Sequence, residues 1–276
     1  MGLTGHYFLI VLCLLLFSRP LYGCSLTLAV SSEYHPHYFK DSNNKWSGVS
    51  VDLARTLVEE AGCRLNTIDV PWSRALKLLE SGEIDLLTNF TFTEQRANIA
   101  QFLGPHYVEK AAFLAKKNIS EKVTTISDLA HFDGLIGLTR GAFFGPKFEK
   151  IVLQDQQVVD KLVRLNTNKE RYSMLTLGRL DAVIDDELAA SYFLTSVKNA
   201  DDHYGIRFTL DNSPVYFALS RNSVPQLVRT KLNQAWKHML KNKVLEKIYL
   251  KYGLKHNAAD LNQHQKMTFS DAVLVN

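Results

Sequence analysis

LNTIDVPWSRALKLLESGEIDLLT, residues 65–88, decides how this chain folds. Residues 65–70 form an apolar, strand-like run, and residues 84–88 form another. Between them, 73–81 carries helical periodicity, with Ser73 as the expected N-cap and Gly82 just past the end, where a left-handed residue closes a helix. A strand, a helix and a strand in so short a span predict parallel β/α winding. Upstream the pattern continues, with a strand over 26–30 and a helix over 51–61 that turns Leu53, Leu57 and Val58 inward.

Downstream, a second unit opens near Ala111. Ser127 is expected to cap a short helix through Ala130, followed by a strand over 135–139 and a helix over 143–152. A strand-like run covers 158–165 and a helix 169–177. Gly178 then leads into a strand that ends in Asp185 and Asp186. Residues 215–221 return as an extended run, and 224–251 supply two helices, the second with Trp236, Met239, Leu240 and Leu245 inward. Residues 257–276 read as a loosely attached tail.

The bulk numbers exclude several classes. With 276 residues, 46% hydrophobic and 22% charged, this is a globular composition. Its net charge is +4, or +3 once Arg19 leaves with the leader, and it is scattered, so no nucleic-acid footprint exists. The apolar run 7–17 is too short to span a bilayer and precedes the small residues Gly23, Cys24 and Ser25, which predicts a cleaved secretory leader over 1–23. Cys13 departs with it, leaving Cys24 and Cys63. Each precedes a strand-like run, so neighbouring parallel strands would bring both thiols to one edge, and an oxidising compartment favours a disulfide. The alternative is lipidation of Cys24, since Leu21-Tyr22-Gly23-Cys24 resembles a lipobox.

The chain also resembles the bacterial family-3 extracellular solute-binding proteins, the polar amino acid receptors of ABC transporters. Its landmarks are Tyr34-His35-Pro36, Gly48-Val49-Ser50-Val51-Asp52-Leu53-Ala54 and Ser81-Gly82-Glu83-Ile84-Asp85. They continue with Thr91-Phe92-Thr93-Glu94-Gln95-Arg96, Gly178-Arg179-Leu180-Asp181-Ala182 and Ile248-Tyr249-Leu250-Lys251-Tyr252-Gly253, spread over 26–254. The resemblance implies an α/β, periplasmic-binding-protein-like (type II) fold, with two lobes joined by two crossover strands and a ligand cleft between. Lobe 1 would comprise 24–110 plus 212–256, and lobe 2 would comprise 111–211.

It also implies a site. Arg96 would grip a ligand carboxylate through its planar fork, with Thr91 as a further donor. Asp186 would accept the ligand's ammonium at a strand end, where open α/β sheets place ligands. Strand alternation lets only one of Asp185 and Asp186 face the cleft. Tyr34 and Trp72 would sandwich the ligand side chain, and Thr88 and Asn89 would add polar contacts. After Thr139 the chain reads Arg140-Gly141-Ala142-Phe143-Phe144, where the family carries Ser or Thr soon after the Gly; Arg140 and Gly141 would border the ligand, and an acidic or aromatic guest fits as well as an amino acid.

The expected function is capture of a small polar molecule by an exported monomer that delivers it to an ABC permease. Sensing through the same cleft is the alternative. A third reading, cyclohexadienyl dehydratase-like catalysis, would use Glu33, His35 or Asp185, none of which has a visible partner. No metal or cofactor is expected, since His35 and His37 alone fall short of three or four ligands.

Overall fold

The structure, a computed structural model, describes residues 23–118 and 123–254. The expected leader, apart from Gly23, and the tail over 257–276 lie outside the described residues. The strands are β1 (Cys24–Val30), β2 (Phe39–Lys40), β3 (Trp46–Ser47), β4 (Cys63–Asp69), β5 (Leu86–Thr91), β6 (Ala100–Lys116), β7 (Ile136–Thr139), β8 (Leu162–Leu165), β9 (Ala182–Asp186) and β10 (Tyr204–Ser220). Eight of them form one hydrogen-bonded sheet in the order β4-β1-β5-β10-β6-β9-β7-β8, while β2 and β3 pair separately.

The centre of that sheet is antiparallel and its wings are parallel. β6 and β10 pair from Tyr204 against Lys116 to Ser220 against Ala100. One end of β10 also pairs with β5, and the opposite end of β6 pairs with β9. Thus both long strands are shared by two β/α halves. In the first half, helices Val49–Glu60 and Gln226–Lys241 pack Val51, Leu57, Leu232 and Trp236 on one sheet face against Leu28 and Phe217. On the other face, helix Trp72–Ser81 sets Ala75 and Leu79 against Leu87 and Phe90. The second half repeats the scheme, with Phe113, Phe132, Ile136 and Ile184 in one layer and Leu114, Leu175, Val183 and Phe193 in the other. Each buried Leu, Val or Phe contributes roughly 1.5–3 kcal/mol, so four such layers supply the main stabilising term.

Several boundaries depart from the sequence reading. Helix Trp72–Ser81 begins after Pro71 rather than after Ser73, because a proline's fixed φ suits a helix entrance; Gly82 closes it in the left-handed conformation as expected. Thr125, not Ser127, caps the 3-10 turn Ile126–His131, in a reciprocal capping box with Asp128. The expected helix over 143–152 starts only after Gly145, with Pro146 and Lys147 opening a helical stretch that runs into the π turn Phe148–Val152. In the expected strand over 158–165, Asp155 instead caps a helical turn, Gln156–Val159, and the strand starts at Leu162.

Two long-range devices hold the first half. Cys24 and Cys63 face each other in the β1–β4 register and are joined in a disulfide, which leaves no thiol at Cys24 for a lipid. Asp52 receives Lys251 Nζ at 2.6 Å and Tyr252 OH at 2.7 Å, and Arg55 Nη1 at 2.6 Å. Burial would raise this carboxyl, but the bonds from Lys251 and Tyr252 and the charges of Lys251 and Arg55 outweigh it and hold it below the ordinary range. Two landmarks 200 residues apart in sequence are thereby clasped.

The disulfide closes a loop with a sequence separation of 39, for which chain entropy gives about 4 kcal/mol. A Cys24→Ser/Cys63→Ser double variant should therefore melt well below the oxidised protein in calorimetry, and thiol reduction of wild type should lower its melting temperature likewise. Asp52→Asn should melt lower at pH 7. Because a carboxyl depressed on folding contributes fully above its unfolded value and loses that contribution as pH falls through its lower folded value, the difference should begin to shrink below about pH 4 and vanish only at still lower pH.

Candidate functional site

The C-terminal ends of the parallel strands from both halves converge on one small cavity. From the first half, the loop after β1 contributes Ser31, Tyr34 and Tyr38, the entrance of helix Trp72–Ser81 contributes Trp72, and β5 contributes Asn89 and Thr91. The short helix Glu94–Ala97, capped by Thr93 Oγ1 on the Arg96 N–H, presents Arg96. Glu109 enters from crossover strand β6. The second half supplies Thr139, Phe143, Asn168 and Asp185.

The loop after β1 depends on one glycine. Tyr34 and Tyr38 bridge each other's backbone, and His37 O accepts the Ser50 N–H at 3.0 Å. At Gly48, with φ of 115°, a Cβ would collide with the backbone of His37 and Tyr38, so only Gly lets helix Val49–Glu60 start against this loop.

Arg96 stacks over Phe90, 4.5 Å from the ring centroid, and donates to two carbonyls: Nη1 to Thr91 O at 3.0 Å and Nη2 to Gly141 O at 3.2 Å. Among the described residues no carboxylate lies within ion-pair distance of it. Burial lowers its pKa to about 10, partly offset by Glu109 and Glu149, so the guanidinium stays charged at neutral pH. Trp72 Nε1 also donates to Gly141 O, at 3.2 Å.

The two acids that end β9 separate as strand alternation requires, but in the sense opposite to the expected one. Asp185 lines the cavity; Asp186 does not. Asp186 is 1% exposed, receives His37 Nε2 at 2.6 Å on one oxygen and Tyr107 OH at 3.1 Å on the other. His37 Nδ1 in turn lies 3.0 Å from Asn89 Nδ2, which assigns the ring proton to Nε2 as donor to Asp186. Asp185 accepts Tyr34 OH at 2.7 Å and Tyr172 OH at 2.6 Å, and Arg171 Nη2 sits 2.5 Å from it. Burial would lower Arg171, but the charge of Asp185 outweighs it and keeps the buried guanidinium charged. Burial, then Asp185 and Asp186, push the Tyr34 phenol well above its usual value, so it remains a donor.

Tyr34, Trp72, Asn89, Thr91 and Arg96 therefore meet in the cavity wall as the sequence reading expects. Thr88 does not, being buried beneath it. Arg140 turns away, donating to Asn166 Oδ1 and Arg164 O, and Gly141 contributes only its carbonyl. Of the three acid–base candidates, Asp185 is the one in the wall, where it is already paired; Glu33 and His35 are not wall residues. The sequence reading missed Glu109, Asn168, Arg171 and His37. An acid inside an extended run was the available signal for Glu109, hidden because 100–116 did not read as a strand.

Comparison with known proteins places this architecture. An L-cystine-binding protein of Escherichia coli strain K12, TcyJ, is 27% identical over 179 residues, and the match spans 64% of each chain. A histidine-binding periplasmic protein of the same strain is 25% identical over 237 residues, covering 83% of this chain and 87% of the relative. Among solved structures, the arginine-, lysine-, histidine-binding protein ArtJ of Geobacillus stearothermophilus superposes with a TM-score of 0.73 at 20% identity, over 86% of this chain and 99% of ArtJ, which shows the shared two-lobed fold. The sequence profile of one family matches residues 26–255 throughout, and the chain belongs to it: the bacterial extracellular solute-binding proteins, family 3.

Proposed function

We propose that this protein is an exported receptor that captures a small zwitterion, an amino acid or a close relative, by closing two lobes on it in the periplasm and passing it to an ABC permease. The moving bodies would be 24–110 with 212–256, and 111–211, hinged on β6 and β10. One observation carries the reading: a single cavity draws its wall from both halves, with the charged fork of Arg96 on one side and Phe143, Asn168 and Asp185 on the other. A guest there is held only when the halves are together, so it stabilises the closed arrangement by its differential affinity.

Family membership supports binding without chemistry, and the names of the cystine-, histidine- and arginine-binding relatives support the ligand class. Among the described residues no helix is long and apolar enough to cross a membrane. Within the cavity, Arg96 would hold the carboxylate, and Tyr34 and Trp72 would cover the side chain with flat apolar area. Asn89 and Thr91 would complete the polar contacts.

A thermal-shift screen of common amino acids should raise the melting temperature of wild type with at least one of them. Arg96→Ala should then weaken that compound on the order of 100-fold by titration calorimetry, the loss expected from about 3 kcal/mol of charged hydrogen bonding. Arg96→Lys should recover little, because it keeps the charge and loses the fork. Equal affinity in Arg96→Ala would remove the carboxylate assignment. Since Arg96 keeps its proton up to about 10, the affinity lost in Arg96→Ala should be the same at pH 7 and pH 8.

A further inference from the structure

Three carboxyl groups surround the site, and the protein satisfies two of them. Asp185 has both oxygens engaged: Oδ1 accepts Tyr34 OH and the Asp186 N–H, while Oδ2 accepts Tyr172 OH and meets Arg171. Three hydrogen bonds and the adjacent Arg171 charge thus occupy this carboxylate and neutralise it. Asp186 is buried behind the wall, held by His37 and Tyr107. Asp185 is thus already paired and Asp186 does not reach the cavity, so neither is available to a guest's cation.

Glu109 differs. It lines the cavity, half-buried, and among the described residues no group gives it a hydrogen bond or an ion pair. It is set on β6, opposite Ser213 of β10, at the point where the crossover strands pass under the cavity. The charged and titratable groups around it are Asp185 and Asp186 from β9, Arg96 and Arg171 from their helices, and Tyr34, Tyr38 and Tyr107. Burial first, then Asp186 and Asp185, push its carboxyl well above the usual range against the pull of Arg96 and Arg171. A carboxylate enclosed without a partner is costly, and a cation brought in by a guest removes that cost.

We propose that Glu109, rather than an acid of β9, is the anchor for the ligand's ammonium, so that a zwitterion is held between Arg96 and Glu109. This deepens the functional reading above and rests on it. Charge recognition would then lie on the first half and the crossover strand, with the second half adding Phe143 and Asn168 on closure. Such a pocket selects small molecules that carry both a carboxylate and a cationic nitrogen, and discriminates against dicarboxylates.

The test uses the mature protein with the twenty common L-amino acids, L-cystine and glutarate. Thermal shift identifies the amino acid that stabilises wild type most, and calorimetry measures it against wild type and Glu109→Gln. The expected result is a loss of roughly 10- to 150-fold in Glu109→Gln, as for a hydrogen bond to a charged group, with glutarate inert on wild type. Melting of Glu109→Gln without added compound checks its fold. Wild type supplies a second readout. At pH 5.5, above the ordinary Glu value of about 4.3, a guest's ammonium drives the proton off Glu109, so the heat of binding should depend on buffer ionisation enthalpy and lose that dependence in Glu109→Gln. Equal affinity and equal proton release in Glu109→Gln would overturn the assignment while leaving the receptor reading intact, whereas stabilisation of wild type by glutarate alone would overturn both the assignment and the zwitterion reading. If no compound of the panel shifts wild type, both readings fall.

Discussion

Everything in this molecule leans on the antiparallel pairing of β6 with β10, two strands of 17 residues each. Each strand is long enough to serve two sheets' worth of neighbours, so two β/α halves share a spine without a flexible linker between them. The register of the pair shifts at three places, between Ile206 and Phe208, Thr209 and Asp211, and Val215 and Phe217. Irregularities of this kind bend and twist a ladder locally. The spine can therefore carry a hinge while its hydrogen bonds keep the strand ends of both halves aimed at a common space.

Within that space the protein resolves an electrostatic problem. Five charged groups, Arg96, Glu109, Arg171, Asp185 and Asp186, crowd around one small cavity. Direct neutralisation takes care of Arg171 with Asp185, and His37 with Tyr107 takes care of Asp186. Among the described residues, Arg96, which meets only neutral carbonyls and a phenyl ring, and Glu109 have no ion-pair partner. On the proposed reading, that division would make the cluster a two-ended receptor, with Arg96 and Glu109 meeting the two charges of a guest.

How much of this was legible in the sequence follows from which forces act locally. Helix Trp72–Ser81 with Gly82, the strands beside it and the approach of Cys24 to Cys63 are set by short-range periodicity and turn chemistry, and all are found. The site residues Tyr34, Trp72, Asn89, Thr91 and Arg96 lie just beyond elements that read clearly, so their convergence was legible too. The crossover strands were not, because Gly104-Pro105 and the polar stretch around Asp211 and Asn212 interrupt the apolar alternation that marks a strand. Their extended form is imposed by pairing across about 100 residues of chain, a tertiary cause that no short window contains. The same holds for Asp185 and Asp186: alternation says that they part, but only the partners His37, Tyr107 and Arg171, brought in from elsewhere, decide which one turns to the cavity.

The flat stacking of Arg96 on Phe90 has one more implication. With one face of the guanidinium against a phenyl ring and one Nη group held by the Gly141 carbonyl, a guest carboxylate has to displace a neutral oxygen to reach that edge of the fork. Occupancy is an exchange of acceptors rather than a gain from nothing, and the loop that bears Gly141 must yield in step. On the proposed reading, lobe movement and chemical discrimination would thus be geared through a single peptide oxygen, favouring guests charged enough to win that exchange.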